Sequence, residues 1–140
     1  DDELPEMIRW ISWGKANFVA AMDRVSFEFG TKQRYGFGPV DWAEVARGDQ
    51  DFARAARQLD AHLAGRDWLL DGGLSYADFR MGTFLPYNAI SQLPVQDYPA
   101  LSAWADRLVA LPAWADPFDG LSIPDLPEVP PRGRYTAQSR

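Results

Sequence analysis

Apolar and small residues recur at helical spacing along the first part of the chain. Across residues 3–29 they stand three or four positions apart, at Met7, Ile11, Gly14, Phe18, Met22, Val25 and Phe29. This spacing puts side chains on one face of a helix, and Pro5 fits the first turn, where a missing N–H costs no hydrogen bond. The pattern therefore predicts one helix over residues 3–29, about 40 Å long at the rise of an α-helix.

A glycine-rich loop and two helices are predicted for the next stretch. The loop covers residues 30–39, where three glycines and a proline interrupt any regular element. Asp41 then predicts the cap of a short helix that reaches Arg47 and stops at Gly48. A second helix follows, beginning at Asp49 or Asp51 and ending at Ala64, with Gly65 as its C-terminal cap. Its buried face consists of Phe52, Ala56, Leu59 and Leu63.

A helix start is encoded by Ser75 and Asp78, which stand three residues apart. The serine hydroxyl can accept a backbone N–H of the first turn, and the carboxylate can reach back to the N–H of Ser75. We assign both residues a structural role as a helix cap, because a catalytic serine would need a base beside it. Pro86 interrupts the apolar pattern that follows and removes a hydrogen bond to the carbonyl of Gly82, so a kink or helix end is predicted there.

The last clear helix begins at Pro99, a residue favoured in the first turn, and ends at Pro112. Its apolar face consists of Leu101, Trp104, Leu108 and Leu111. One more helical turn is predicted over residues 113–118, whereas residues 121–140 contain four prolines and no periodic face. Because no segment shows sustained alternation, we predict an all-α fold: a helical bundle of about five to six helices over residues 1–120, followed by a proline-rich tail, 121–140.

Composition excludes several classes of function. The 140-residue chain is 46% hydrophobic and carries a net charge of −6, with no basic block, so nucleic acid is not an expected partner. It has no cysteine, and its single histidine, His62, lacks the partners of a metal site. No apolar run approaches the length of a membrane span. The chain starts at Asp1 without an initiator Met, and we expect an N-terminal portion to be absent from it.

Three separated motifs together resemble a known family. They are WLLDGGLSYAD at residues 68–78, which follows a leucine-containing helix end at 61–63, YPAL at 98–101 with Trp104, and LPAW at 111–114. In order and spacing they resemble the helical C-terminal domain of the cytosolic glutathione transferase (glutathione S-transferase) family. The resemblance covers roughly residues 52–118, and the long first helix agrees with it.

The resemblance implies a division of labour between two domains. In this family glutathione and the catalytic Tyr, Ser or Cys belong to an N-terminal thioredoxin-like domain, which this chain does not contain. The helical domain supplies a pocket for a small hydrophobic electrophile and part of a homodimer interface. It therefore has no catalytic residue and binds no cofactor alone, and glutathione is the co-substrate of the full-length protein. The implied setting is cytoplasmic detoxification, and the isolated chain is expected to be inactive.

The resemblance also suggests pocket residues. Lys15, Phe18, Met22 and nearby Ser26 occupy the region of the first helix that faces the cleft in family members, and Tyr87 follows the expected kink. The alternatives are core positions for Phe18 and Met22 and a surface or interface position for Tyr87.

Two further groups of residues are candidates for a role at a pocket or an interface. The first comprises the loop residues Lys32, Arg34, Tyr35 and Phe37. They could cover a pocket mouth and attract an anion, but a solvated basic loop is the favoured reading. Trp10 and Trp13 are candidates for a subunit or interdomain contact, whereas Trp104 and Trp114 are expected in the core.

A different class of function competes with the enzyme. Similar helical domains serve as non-catalytic interaction modules in translation factors, synthetases and stress regulators. A lyase, isomerase or dehalogenase on the same two-domain plan is a third option. The sequence upstream of Asp1 separates the first two hypotheses, because a thioredoxin-like stretch with an early Ser, Cys or Tyr favours the enzyme.

Overall fold

The fold consists of helices joined by short connections. The computed structural model describes residues 2–115, 119–122 and 128–129. The elements are α1 (Leu4–Ala16), α2 (Phe18–Ser26), a π-helix (Phe27–Thr31), α3 (Lys32–Arg34), α4 (Trp42–Leu63), α5 (Tyr76–Met81), a 3₁₀ turn (Leu85–Tyr87), α6 (Asn88–Ser91), a second 3₁₀ turn (Val95–Asp97), α7 (Pro99–Val109) and α8 (Pro112–Ala115). Within the described residues there is no β-strand, only an isolated bridge between Leu70 and Gly73. The all-α prediction is confirmed, and five of the described α-helices have six or more residues.

The predicted single helix over residues 3–29 is wrong, because it is broken at Asn17. This residue has φ −120° and ψ −73°, outside helical values. Its side-chain amide donates to the carbonyl of Trp13 at 2.8 Å, which the backbone N–H of Asn17 also reaches at 3.0 Å. Asparagine often competes for backbone groups in this way. The apolar stripe continues on the same side of α1 and α2, so the periodicity of the sequence does not reveal the break.

The predicted loop over residues 30–39 is also corrected, since helical structure continues to Arg34. Gly30 is buried within the π-helix, where an added Cβ would lie 3.2 Å from Cγ2 of Ile90. The glycine therefore permits a close approach between the π-helix and α6. The loop begins only after α3, at Tyr35.

A single helix, α4, replaces the two helices expected on either side of Gly48. Its start agrees with the prediction, since Asp41 accepts the N–H groups of Ala43 and Glu44 at 2.9 and 3.2 Å. Gly48 does not end the helix: it is buried where a Cβ would lie 2.5 Å from Cγ2 of Val25. The absence of a side chain at Gly48 thus permits the close packing of α2 against α4. Gly65, with φ +75°, follows the end of α4 as predicted.

The core lies between α2, α4 and α7. Phe18 stacks on Phe52 with ring centroids 5.6 Å apart and meets Phe84 edge-on at 5.1 Å. Trp104 is fully buried, as expected. Trp114 is only partly buried and packs against Phe79 at 5.6 Å. The largest buried side chains are Trp104, Phe18, Phe52, Met22, Leu59, Leu63, Leu69, Met81, Leu93, Leu101, Leu108 and Val25.

The predicted cap at Ser75 and Asp78 is present as a capping box at the start of α5. Asp78 Oδ2 accepts the N–H of Ser75 at 2.9 Å, and its Oδ1 accepts the N–H of Leu69 at 3.0 Å and the indole N–H of Trp104 at 2.9 Å. One buried carboxylate therefore joins the connector before α5, α5 itself and α7. The helix ends at Met81, before Pro86, in agreement with the predicted end.

The described part of the tail contacts the domain just after α6. Gln92 donates from its side-chain amide to the carbonyl of Val129 at 3.3 Å, and Val129 packs against the core. Most of the segment 121–140, like residues 116–118 of the last predicted turn, lies outside the described residues. Among the helices that the structure describes, none combines the length and the apolar character needed to cross a membrane.

Candidate functional site

A cleft of about 300 Å³ opens between the π-helix and α3 on one side and the 3₁₀ turn with α6 on the other. It is lined by Ser26, Gly30, Thr31, Arg34, Tyr35, Tyr87 and Ile90. These residues come from two distant stretches of the chain, 26–35 and 87–90, which the fold brings together. A cavity of this size is at the lower end of the range for small-molecule sites.

The π-helix forms one wall of the cleft. Its wider turn is defined by a bond from the N–H of Lys32 to the carbonyl of Phe27, five residues earlier. Phe29 and Gly30 are buried, whereas Phe27 and Thr31 remain exposed. Single π-turns occur often at functional sites, where they redirect side chains. Here the turn directs Thr31 to the cleft and holds Gly30 against Ile90.

A buried carboxylate supports this wall from behind. Glu28 is only 4% exposed, and its Oε2 accepts Nζ of Lys32 at 2.8 Å and the N–H of Asp41 at 2.7 Å. Its backbone carbonyl accepts the side-chain amide of Gln33 at 3.0 Å. The residues from Lys32 to Asp41 are therefore tied at both ends to Glu28, and we call this arrangement the Glu28 clamp. It holds Arg34 and Tyr35 at the mouth of the cleft.

Aromatic rings stand at that mouth. Tyr35 and Phe37 stack with centroids 5.8 Å apart, and each is 63% exposed. The loop that carries them is closed by a bond from the N–H of Phe37 to the carbonyl of Lys32 at 2.9 Å. Gly36 allows this turn because its φ is +65°, which residues with a side chain rarely adopt. Two large flat surfaces are thus presented to solvent beside the cleft.

Tyr87 contributes the opposite side of the cleft. Pro86 is the second residue of the 3₁₀ turn after α5, and the N–H of Tyr87 donates to the carbonyl of Phe84 at 2.8 Å. The Tyr87 side chain is 40% exposed and lines the cleft. The hypothesis that Pro86 redirects this tyrosine towards a substrate cleft stays a prediction.

The charges around the cleft differ from those of the chain as a whole. Arg34 is the one charged residue in the described lining, although the chain carries a net charge of −6. The nearest buried acid, Glu28, is paired with Lys32. Asp23 is an exposed residue of α2, one turn before Ser26, and the partial desolvation of its carboxyl raises its pKa above the ordinary value.

The structure brings some of the predicted pocket residues together and separates others. Tyr87 and Ser26 line the cleft, as do Arg34 and Tyr35 of the loop that was expected to be solvated. Phe18 and Met22 have no exposed surface and belong to the core, so they do not line the cleft. Lys15 is exposed on α1 and is not part of the lining.

Three lining residues had no signal in the sequence: Gly30, Thr31 and Ile90. Gly30 and Thr31 were assigned to a loop, because nothing local distinguishes a π-turn from the end of a helix. Ile90 reaches the cleft only because α6 packs on that turn.

A second groove of about 310 Å³ lies where α1 and α2 pack on α4. Small residues form much of it, and its polar residues include Asn17, Arg24, Asp51 and Arg54. Trp13, expected at an interface, lines this groove and is partly buried.

Trp10 and His62 pack against each other and have structural roles. Trp10 is buried in the core, 4.3 Å from the ring of His62, so its predicted interface role is wrong for this arrangement. Nε2 of His62 lies 2.8 Å from the carbonyl of Leu69. No group of His, Asp and Glu that could hold a metal ion occurs within the described residues.

Comparison with known proteins agrees with this architecture. Residues 25–112 match the family described as glutathione S-transferase, C-terminal domain. A search of curated proteins gives no match. Among solved structures, the chain is similar to apo glutathione S-transferase III, with 23% identity and a TM-score of 0.76 over 89% of this chain and 58% of that one.

Two further solved structures are similar. A glutathione transferase from Populus trichocarpa has 18% identity and a TM-score of 0.74 over 86% of this chain and 57% of its own. One from Burkholderia graminis, with two glutathione molecules bound per subunit, has 23% identity and a TM-score of 0.65 over 82% of this chain and 49% of its own. At these identities the likeness establishes the fold, and the chain spans about half to three-fifths of each of these proteins.

Proposed function

Because the chain belongs to the glutathione S-transferase C-terminal domain family, we propose that it is the helical half of a glutathione transferase and binds the electrophilic substrate. The observation that carries this proposal is the cleft between the π-helix and α6. It combines an apolar side chain at Ile90, aromatic rings at Tyr35 and Tyr87, and polar groups at Ser26, Thr31 and Arg34. Small-molecule sites commonly have this composition.

The helical domain would act by positioning its substrate. In the complete protein the nucleophile is the glutathione thiolate, activated in an N-terminal thioredoxin-like domain. The cleft would hold a small hydrophobic electrophile so that its reactive carbon meets the sulfur. Fixing two reactants in this way removes much of the entropic barrier to their reaction. The residues of this chain then contribute to the substrate affinity and to the orientation, and the thiolate chemistry belongs to the other domain.

A surface for the thioredoxin-like domain is proposed on α1 and the start of α5. Leu4 and Ile8 stand one turn apart on α1 and are 48% and 52% exposed. Leu74 and Tyr76 are exposed beside the Ser75 cap, and Leu4 lines a shallow recess together with Ser75. Clusters of exposed apolar side chains often mark interaction sites. An N-terminal domain resting here would cover them.

The groove between α1, α2 and α4 is proposed as part of a homodimer interface. Arg54 pairs with Asp51 at 3.2 Å, and Arg24 pairs with Glu44, so this face carries charges of both signs. A two-fold axis places the same patch of both subunits face to face, and a patch with both charges can complement itself. The same proposal includes a cytoplasmic role in detoxification for the complete protein.

Turnover measurements on two forms of the protein test the proposal. Glutathione conjugation of a panel of electrophiles is measured for the 140-residue chain and for the complete protein with its N-terminal domain. We expect turnover by the complete protein, its retention on immobilised glutathione, and none by the chain alone. Appreciable conjugation by the chain alone would contradict the proposed division of labour. Absence of any turnover by the complete protein would favour the non-catalytic interaction module.

A further inference from the structure

The cleft wall formed by the end of α2 and the π-helix carries two hydroxyl groups. Ser26 and Thr31 both line the cleft, five positions apart in the chain. In a regular α-helix, residues five positions apart are separated by about 140° around the axis and face different sides. The wider turn, in which the N–H of Lys32 donates to the carbonyl of Phe27, brings the two residues to the same wall. The π-turn thus pairs two hydroxyls that an α-helix would separate.

Both hydroxyls are available to a ligand. Ser26 is partly buried and Thr31 is exposed, and neither side chain makes a hydrogen bond to another of the described residues. Gly30 lies in the lining between them, where an added Cβ would be 3.2 Å from Cγ2 of Ile90. The glycine therefore keeps this part of the cleft free of a further side chain.

The surroundings of this hydroxyl pair favour a ligand that is mainly apolar and uncharged. Ile90 contributes an aliphatic side chain and Tyr35 an aromatic ring, whereas Arg34 and Tyr87 already have interaction partners. An oxygen that leaves water needs a new donor, because an unpaired polar group is costly to bury. Neutral hydroxyls can supply such donors to a neutral oxygen, but they do not compensate the burial of an ion.

We propose that the cleft selects uncharged, largely apolar substrates that carry a carbonyl oxygen, and that the hydroxyls of Ser26 and Thr31 donate hydrogen bonds to this oxygen. This inference rests on the proposed function, because it specifies which electrophiles the cleft accepts. Each hydroxyl has one proton to donate and a carbonyl oxygen has two lone pairs, so one oxygen can accept both bonds. Ser26 and Thr31 are specificity-determining residues in this account. The volume of about 300 Å³ suits a substituted single ring.

Two ligands of the same shape test the preference. Acetophenone and α-methylstyrene share the ring and the methyl group, and the carbonyl oxygen of the first is replaced by a methylene group in the second. Their dissociation constants are measured on the isotope-labelled 140-residue chain by NMR titration. We expect both ligands to shift the amide signals of residues 26–35 and 87–90, which contribute the lining of the cleft.

Removal of the hydroxyls identifies the groups responsible. The double variant Ser26→Ala with Thr31→Val removes both hydroxyls and nearly keeps the shape of the wall. It should bind acetophenone about threefold to tenfold more weakly, the usual size of a hydrogen bond between neutral groups, and bind α-methylstyrene within about twofold of the unmodified chain. The control is Ser102→Ala with Thr83→Val, which removes two hydroxyls outside the described lining and should change neither constant. The amide spectra verify that both double variants are folded.

The outcomes separate the inference from the proposed function. An unchanged affinity for acetophenone in the double variant at Ser26 and Thr31 would overturn the role of the hydroxyl pair and leave the substrate cleft intact. An equal loss for both ligands, or an equal loss in the control variant, would also overturn that role, because the effect would not depend on the carbonyl oxygen or on these two hydroxyls. Failure of both ligands to bind to the folded, unmodified chain, or shifts confined to other residues, would contradict the proposed cleft itself.

Discussion

At the scale of single residues, Asp78 contributes more to the fold than a helix cap requires. In a capping box this carboxylate needs to accept only the N–H of the N-cap residue, whereas here it also accepts the N–H of Leu69 and the indole N–H of Trp104. The cap could be predicted, because a capping box is a local signal. The other two bonds could not, since Trp104 is 26 residues away. The residue thus fixes α5 relative to α7.

Replacement of Asp78 by asparagine should strongly destabilise the domain. The amide group keeps the shape but places N–H groups against donors, leaving buried donors without acceptors. We expect a loss of about 3 kcal/mol in the free energy of unfolding, measured by urea denaturation. Asp106→Asn is the control, because this exposed residue of α7 should change stability by less than about 0.5 kcal/mol. A loss at Asp78 as small as that at Asp106 would contradict the assigned role.

The contribution of Asp23 to the free energy of unfolding should depend on pH in the opposite direction to that of a carboxylate in an ion pair. Asp23 is an exposed residue, and only the partial desolvation of its carboxyl raises its pKa above 3.8 in the folded state, so the effect should be small. The folded protein therefore binds the proton more tightly than the unfolded chain, and the charged form carries a penalty above the raised pKa. Asp23→Asn should be more stable than the unmodified chain at pH 7, and the difference should shrink as the pH falls towards 3.8.

The measurement for Asp23 is urea unfolding of both proteins at a series of pH values. Comparing their difference removes the contribution of other carboxylates, which titrate alike in both proteins. If Asp23→Asn is less stable at pH 7, or if its advantage grows towards acid, the partial desolvation of Asp23 does not act as described.

At the scale of elements, the sequence predicts helix starts better than helix interruptions. Asp41, Ser75 and Pro99 begin helices as expected, because each signal acts within one turn. Gly48 was read as a stop, yet its meaning depends on the contact between α2 and α4. The π-turn likewise depends on packing of Gly30 against Ile90. Interactions between distant segments decide these features, and local patterns do not contain them.

The same limit explains which cleft residues were predicted. Tyr87 could be proposed from the sequence because it follows Pro86, a local signal, whereas the apolar stripe could not distinguish Phe18 and Met22 in the core from a cleft wall. A helix face that packs in the core and a helix face that lines a cleft are both apolar, so the sequence does not distinguish them. The cleft appears only when the π-helix and α6 are placed together.

The Glu28 clamp should control both stability and the mobility of the cleft mouth. Glu28→Gln leaves Lys32, whose side chain is only 16% exposed, without a charged partner. Losing a largely buried ion pair in this way typically costs about 3 kcal/mol. Hydrogen exchange should become faster over residues 35–41, because the backbone N–H of Asp41 loses a charged acceptor.

A control for the clamp is Glu44→Gln, which removes a more exposed acid that pairs with Arg24 and Arg47. Exposed pairs contribute at most about 1 kcal/mol, so this variant should stay close to the unmodified chain in both measurements. Equal effects of the two substitutions would show that Glu28 has no special role at the cleft.

At the scale of the whole molecule, the domain presents two kinds of surface. One is the cleft, with the rings and the cation of its described lining, and the other is the exposed apolar face of α1 beside the start of α5. An exposed apolar face of this kind suits a contact with another domain. Together they fit a helical domain that binds the electrophile and rests on a partner domain that holds glutathione, which is the central claim of the proposed function.

Steady-state kinetics of Tyr87→Ala in the complete protein test this claim most directly. Tyr87 lines the cleft, so losing its ring should raise the KM for an aromatic electrophile about fivefold to tenfold and leave the KM for glutathione unchanged. Val109→Ala, an exposed apolar residue of α7 outside the described lining, should change neither constant. An unchanged electrophile KM in Tyr87→Ala, or equal shifts for both substrates, would contradict the assignment of the cleft as the electrophile site.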